Sequence, residues 1–173
     1  MATLTELYVM GIALDSRTGT PIMVLNDKEN RRALPIWIGT AEASAIIRQL
    51  EGIQTSRPMT HDLIQAVLNQ CSLQMNRVEI NDLDADTYFA SIYLEDSEGN
   101  ETAIDARPSD AVALALKTES PIYGTANVIA EGTISTDKAR DEEEAEEFRD
   151  FIKDLKPSDF TKMSGDSDTP ESN

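Results

Sequence analysis

The chain opens with three apolar runs, each closed by a polar turn. Leu4–Leu14 (LTELYVMGIAL) and residues 21–25 read as strands, with residues 15–19 (DSRTG) as the turn between them. After the polar turn at 26–30, residues 31–38 (RRALPIWI) make a third strand, in which Pro35 implies an edge or a bulge. The period then changes. Over residues 40–51, Ala41, Ala45, Ile46 and Leu50 recur at helical spacing, with Thr40 as cap and Glu42 in the first turn. Residues 60–71 repeat this grammar, with Leu63, Ile64, Val67 and Leu68 on one face.

The second half echoes the first. Residues 73–80, 87–94 and 101–105 read as strands joined by polar links at 81–84 and 97–100, followed by a helix over 109–117 and a short return at 121–123. Short links favour antiparallel pairing within each triplet. The pattern therefore predicts an α+β fold of two βββα-like halves, with an extra helix after the first and a largely antiparallel or mixed sheet. Beyond residue 131 the character shifts. Residues 137–155 are strongly charged, yet Phe148, Phe151, Ile152 and Leu155 recur at three and four, an apolar stripe on an acidic helix that would dock on the body or on a second subunit, or else stay a partly frayed, solvated helix. Residues 164–173 hold no hydrophobic side chain and are expected to be disordered. The resulting division is a domain at 1–130, an acidic helical extension at 131–162 and a tail at 163–173.

Composition narrows the chemistry. The formal net charge is -17, of which -9 lies through Thr125 and -8 from Ala126 onward, so both body and tail are acidic. That balance argues against a tight binder that holds nucleic acid by phosphate neutralisation alone. A single cysteine, Cys71, leaves no intramolecular disulfide and no cysteine-based zinc cluster. No signal-peptide pattern and no apolar run of membrane-spanning length is present, so a cytoplasmic protein without membrane contact is expected, and the apolar stripe suggests a homodimer.

Two segments fifty positions apart carry the best chemical lead: Ser56-Arg57-Pro58-Met59-Thr60-His61-Asp62 and Asp105-Ala106-Arg107-Pro108-Ser109-Asp110. Each sets an Arg-Pro step and a capping hydroxyl before a helix, with an aspartate in its first turn. If the helices converge, Glu42, Asp62, Asp105 and Asp110 would supply catalytic or water-activating carboxylates. Arg57, Arg107, Thr60 and Ser109 would meet phosphate, and Asp62, Asp105 and Asp110 would hold Mg²⁺ or Mn²⁺. No organic cofactor is implied, because no Gly-rich nucleotide loop is present. His61, the only histidine, would act as a base or phosphate ligand, but its neighbour Asp62 points elsewhere on the helix and cannot orient it, so a solvated surface role is the simpler expectation. Trp37 reads most simply as a core residue at a strand end. The same acids and arginines admit a purely structural reading, since first-turn acids favour helices and Arg-Asp pairs pin loops.

Taken together, LPIWIGTAEA (34–43), RPMTHDL (57–63) and DARPSDAVALAL (105–116), in this order and spacing, resemble the bifunctional nuclease family over about residues 4–128. The resemblance implies an α+β fold, DNase and RNase activity, and nucleic acid as partner. The matching positions are Glu42, Arg57, Thr60, His61, Asp62, Asp105, Arg107, Ser109 and Asp110. Together with the carboxylate cluster, it predicts a nuclease hydrolysing phosphodiester bonds with divalent-metal assistance, while the resemblance itself implies no settled catalytic residues. The alternative is a non-catalytic regulatory module that binds an anionic ligand or a protein partner.

Overall fold

The computed structural model describes residues 3–136, so the expected helix at 137–155, the rest of the extension and the tail lie outside the described residues. Strands β1 (Leu4–Leu14), β2 (Pro21–Asp27) and β3 (Arg32–Trp37) form an antiparallel meander, followed by helices α1 (Thr40–Leu50) and α2 (Thr60–Gln70). Strands β4 (Gln74–Asp84), β5 (Thr87–Glu95) and β6 (Glu101–Ala106) form a second meander, followed by α3 (Pro108–Thr118). The chain then returns through β7 (Ile122–Thr125), the short α4 (Ala126–Gly132) and the two-residue β8 (Ile134–Ser135). All eight strands share one sheet in the order β6-β5-β4-β7-β1-β2-β3-β8. Since β7 runs antiparallel to β1 and parallel to β4, the two meanders spread outward from it in opposite directions. The α+β architecture of two βββα halves with an added helix is the one the apolar pattern predicts. Helix α4 crosses residue 130, so the fold continues past that point into β8.

Differences in detail have local causes. The polar link expected at 81–84 is strand. A register shift between Ile80 and Asp82 absorbs Asn81, whose amide donates to Ser91 Oγ at 2.7 Å, and pairing then continues to Asp84 opposite Thr87. The turn is just Ala85-Asp86, both at positive φ (44° and 64°), the twist that two-residue hairpins need. Pro35 sits on the part of β3 beyond β8, which pairs only with Arg32 and Ala33, so its missing N–H costs no ladder bond on that side. Trp37 is not a core residue. It is 54 % exposed, and its indole N–H donates to Asp15 Oδ2 at 3.1 Å, so alternation buries Ile36 and Ile38 while turning the tryptophan out.

The main core lies on one sheet face. Leu7, Met23, Leu25, Leu34, Ile36, Val78, Ile80 and Ala90 meet Ala43 and Ile46 of α1 and Ala111, Val112 and Ala115 of α3, with Val128 of α4 in the same cluster. The small side chains of α3 let it lie close to the strands. Helix α2 is different, because none of its residues is buried. Its apolar face is real, but Leu63 and Val67 are 59 % and 53 % exposed. What ties α2 down is its first turn, where Asp62 accepts a hydrogen bond from the Met59 N–H at 2.7 Å and forms an ion pair with Lys117 of α3.

Two predictions follow from this contrast. Ile46→Ala should lower stability by about 2–5 kcal/mol in denaturant melts, as large-to-small changes in a sealed core do, while Val67→Ala should stay within about 0.5 kcal/mol of wild type. The Lys117 ammonium, with the Met59 N–H, holds the Asp62 carboxyl below the ordinary carboxylate range. A depressed folded-state pKa contributes stability that is fully present above the unfolded value of about 4 and is lost as pH falls through the folded value. Asp62→Asn should therefore melt below wild type at neutral pH, and the gap should close as pH drops below about 4.

Candidate active site

Three helix starts converge at one side of the molecule, and all carry an acid at the third helical position. Helix α1 is preceded by Gly39, α2 by Met59 and α3 by Arg107, so these three residues are the caps. Thr40, Thr60 and Ser109, expected as caps, are already inside the helices. Pro108 occupies the first position of α3, where its fixed φ suits a helix start. A Cβ at Gly39 would collide with the Glu42 carboxylate, so the glycine leaves room for Glu42 to fold back over the start of α1.

Arg107 links two of these mouths. Its Nε donates to Asp110 Oδ2 at 2.8 Å and its Nη1 to Glu42 Oε1 at 2.9 Å, joining α3 to α1. The two carboxylates push the guanidinium pKa up, Asp110 most, so Arg107 is permanently charged. Asp110 also reaches α2: its Oδ1 lies 3.3 Å from His61 Nε2. The His61 side chain is only 12 % exposed, so it is not the solvated surface group its position suggests. Asp110, not Asp62, is the acid that orients it.

Two adjoining depressions open over this cluster. One, of about 460 Å³, is lined by Arg48, Arg57, His61, Asp62 and Lys117 among others. The second, of about 420 Å³, is lined by Glu42, Thr60, His61, Arg107 and Asp110, and shares Arg48 and His61 with the first. Arg57 is exposed and has no carboxylate partner among the described residues, while Arg48 donates only to Ser44 Oγ at 3.0 Å. An acidic chain thus concentrates cationic side chains on one concave surface. Helix N-termini facing the same space add partial positive charge, which favours an anion there.

Of the sequence-derived site residues, the structure brings together Glu42, Arg57, Thr60, His61, Asp62, Arg107 and Asp110. It leaves two apart. Asp105 lies exposed on β6 opposite Ser91 and lines neither depression, and Ser109 is buried beneath the helix start. The three carboxylates expected to share a metal do not meet: Asp62 is taken by Lys117, Asp110 by Arg107 and His61, and Asp105 is elsewhere. Among the described residues no group of three or more His, Cys, Asp or Glu is arranged to hold a metal ion. These residues do not fit a shared Mg²⁺ or Mn²⁺. Arg48 and Lys117 are groove-lining cations that motif reasoning missed. Lys117 falls two helical turns after Asp110, so helical spacing alone would have placed both on one face of α3.

Two uncharacterized proteins of Mycobacterium tuberculosis, from strains CDC 1551 and H37Rv, are each 34% identical to the chain over 163 residues, covering 90% of it and 97% of their own length. Proteins named bifunctional nuclease 1, from Oryza sativa subsp. indica, and bifunctional nuclease, from Oryza minuta, are 26% identical over 92 residues, covering 51% of this chain but 28% of theirs. The bifunctional nuclease domain profile matches residues 12–137, from the end of β1 through β8, and includes all three helix mouths. The chain belongs to the bifunctional nuclease domain family.

Proposed function

We propose that the chain hydrolyses phosphodiester bonds of DNA or RNA at the paired depressions, with His61 as the proton acceptor. The observation that supports this most is the His61–Asp110 pair set among Arg48, Arg57 and Arg107. With its Nε2 proton donated to Asp110 Oδ1, the ring keeps its Nδ1 lone pair as the basic site. As a water oxygen bonds to phosphorus, Nδ1 takes its proton. The P–O bond to the departing sugar oxygen breaks, and that oxygen takes a proton from solvent in the open groove. Arg48 and Arg57 balance charge on the non-bridging oxygens. Arg107 contributes by fixing Asp110, and through it the imidazole. An acidic body makes affinity modest and salt-sensitive, with Arg57 supplying much of the attraction.

The anion-binding alternative draws on a specific feature: every carboxylate in the groove already has a cationic partner, which leaves a net cationic surface able to hold a phosphate without turnover.

The two readings separate in one series. Cleavage of labelled single- and double-stranded DNA and RNA is measured with wild type, His61→Gln, Asp110→Asn and Arg57→Ala, each checked for cooperative melting. Loss of the base should reduce kcat by about 10²–10⁴-fold. Arg57→Ala should raise KM more than it lowers kcat. Cleavage should persist in chelator; abolition by chelator would overturn the proton path through His61. Equal activity in all four preparations would point to a contaminant and sink the assignment. Binding of oligonucleotides or inorganic phosphate by a protein that cleaves none of them would establish the non-catalytic reading.

A further inference from the structure

The sheet has a second buried apolar surface, on the face away from the helices. Ile22, Val24 and Ala33 are 3 %, 4 % and 1 % exposed and form a cluster separate from the main core, with the partly buried Ala13 against them. Pro35, opposite Val24, is buried as well. Strand β2 is accordingly buried at every position, on both faces. Yet α1, α3 and α4 all contribute their buried side chains to the main core on the other side. Aliphatic side chains on a sheet face are not sealed from water by their in-plane neighbours, because those lie beside them and not above them. Among the described residues, no helix side chain belongs to the cluster on this face.

We infer that the C-terminal segment carrying Phe148, Phe151, Ile152 and Leu155 covers this face of the β1–β2–β3 meander, within the same chain. Three observations identify it. The described chain ends beside the patch: β8 pairs with Arg32 and Ala33 of β3, and the Thr136 N–H donates to the Arg31 carbonyl at 2.8 Å. From there β3 and β2 are one and two strands away, at about 5 Å each, and residues 137–147 would span roughly 16 Å even if wholly helical. The apolar residues 148, 151, 152 and 155 recur at the spacing that makes one stripe, and they are flanked by acids. Exposed Arg17 in the β1–β2 turn, beside its partner Asp15, lies at one end of the patch, and exposed Lys28 in the β2–β3 turn, between Asp27 and Glu29, lies at the other, so a cation is within reach at each end. The exposed face of α2 lies on the opposite side of the sheet and has no such continuity with the chain's exit.

Trp37, the only tryptophan, stands opposite Ile22 at the rim of the patch and reports on its cover. The full chain is used with Cys71→Ser and Lys153→Cys, labelled at the new thiol with a nitroxide, a short-range quencher. The expected result is loss of Trp37 emission that is unchanged on dilution, is relieved by Phe148→Ser with Phe151→Ser, and is unaffected by Leu63→Glu on α2. Unquenched Trp37 in a cooperatively melting labelled protein would overturn the assignment. Quenching that fades on dilution would assign the face to a second copy, and relief by Leu63→Glu would place the segment on α2; either result also overturns it.

Discussion

Asp110 is the residue on which the site depends, because it is shared. One oxygen accepts from Arg107, which in turn holds Glu42 of α1, and the other faces the imidazole of His61 on α2. Three helices that make few apolar contacts with one another at this end are thereby registered by one chain of charge-assisted hydrogen bonds. Such bonds are directional and roughly twice as strong as neutral ones, so they fix position where α2, with no buried residue, has no core contact to fix it. The carboxylates and the imidazole are partly shielded while Arg107 stays exposed, so losing the arginine leaves two acids that water compensates only in part. Structure and chemistry therefore share residues: whatever orients His61 also holds the helix mouths together.

The network exists because of how the two halves are joined. Strand β7 sits between β4 and β1, parallel to one and antiparallel to the other, and turns two similar βββα units into one sheet. Helices α1 and α3 follow the third strands of their halves and lie side by side over the shared core. Their first turns carry equivalent acids, Glu42 and Asp110, but the residues before them differ. Gly39 offers space where Arg107 offers charge. A single arginine from one half then serves the acids of both, and the inserted α2 brings a histidine to the pair.

Much of this was legible in the sequence, and the reasons for the rest are physical. The apolar runs of β1–β3 and the helical stripe of α1 identified their elements, because β2 and the middle of β3 are buried throughout while α1 buries one face against the core. The stripe of α2 gave the right helix, yet periodicity is blind to whether a face has a partner, so the exposure of Leu63 and Val67 could not be read. Trp37 was misplaced because bulk suggests burial, whereas its indole N–H found Asp15 in a turn more than twenty residues earlier. The helix caps were misplaced because Ser and Thr favour that position on average. Here proline and the chain's entry angle put the boundary one or two residues earlier. The His61–Asp110 pair joins residues 49 apart, and no local spacing rule reaches that far.

Charge carries the remaining step. A chain with a net charge of -17 would repel a polyanion from most directions, so a nucleic acid can be held only where the local field reverses sign. The depressions over the helix mouths are such a place: among the described residues Arg48 and Arg57 carry no compensating carboxylate, and three helix N-termini face the same space. Surrounding acidity then acts as a filter. On the proposed reading, it would disfavour the broad, sliding attachment of a basic protein and favour a short, flexible stretch of backbone that can enter a concave surface. The same reasoning explains why cations inside the groove are paired unequally. Arg107 and Lys117 are committed to Asp110 and Asp62 and hold the walls in place, whereas exposed Arg57 has no carboxylate partner among the described residues, as the proposed phosphate contact requires.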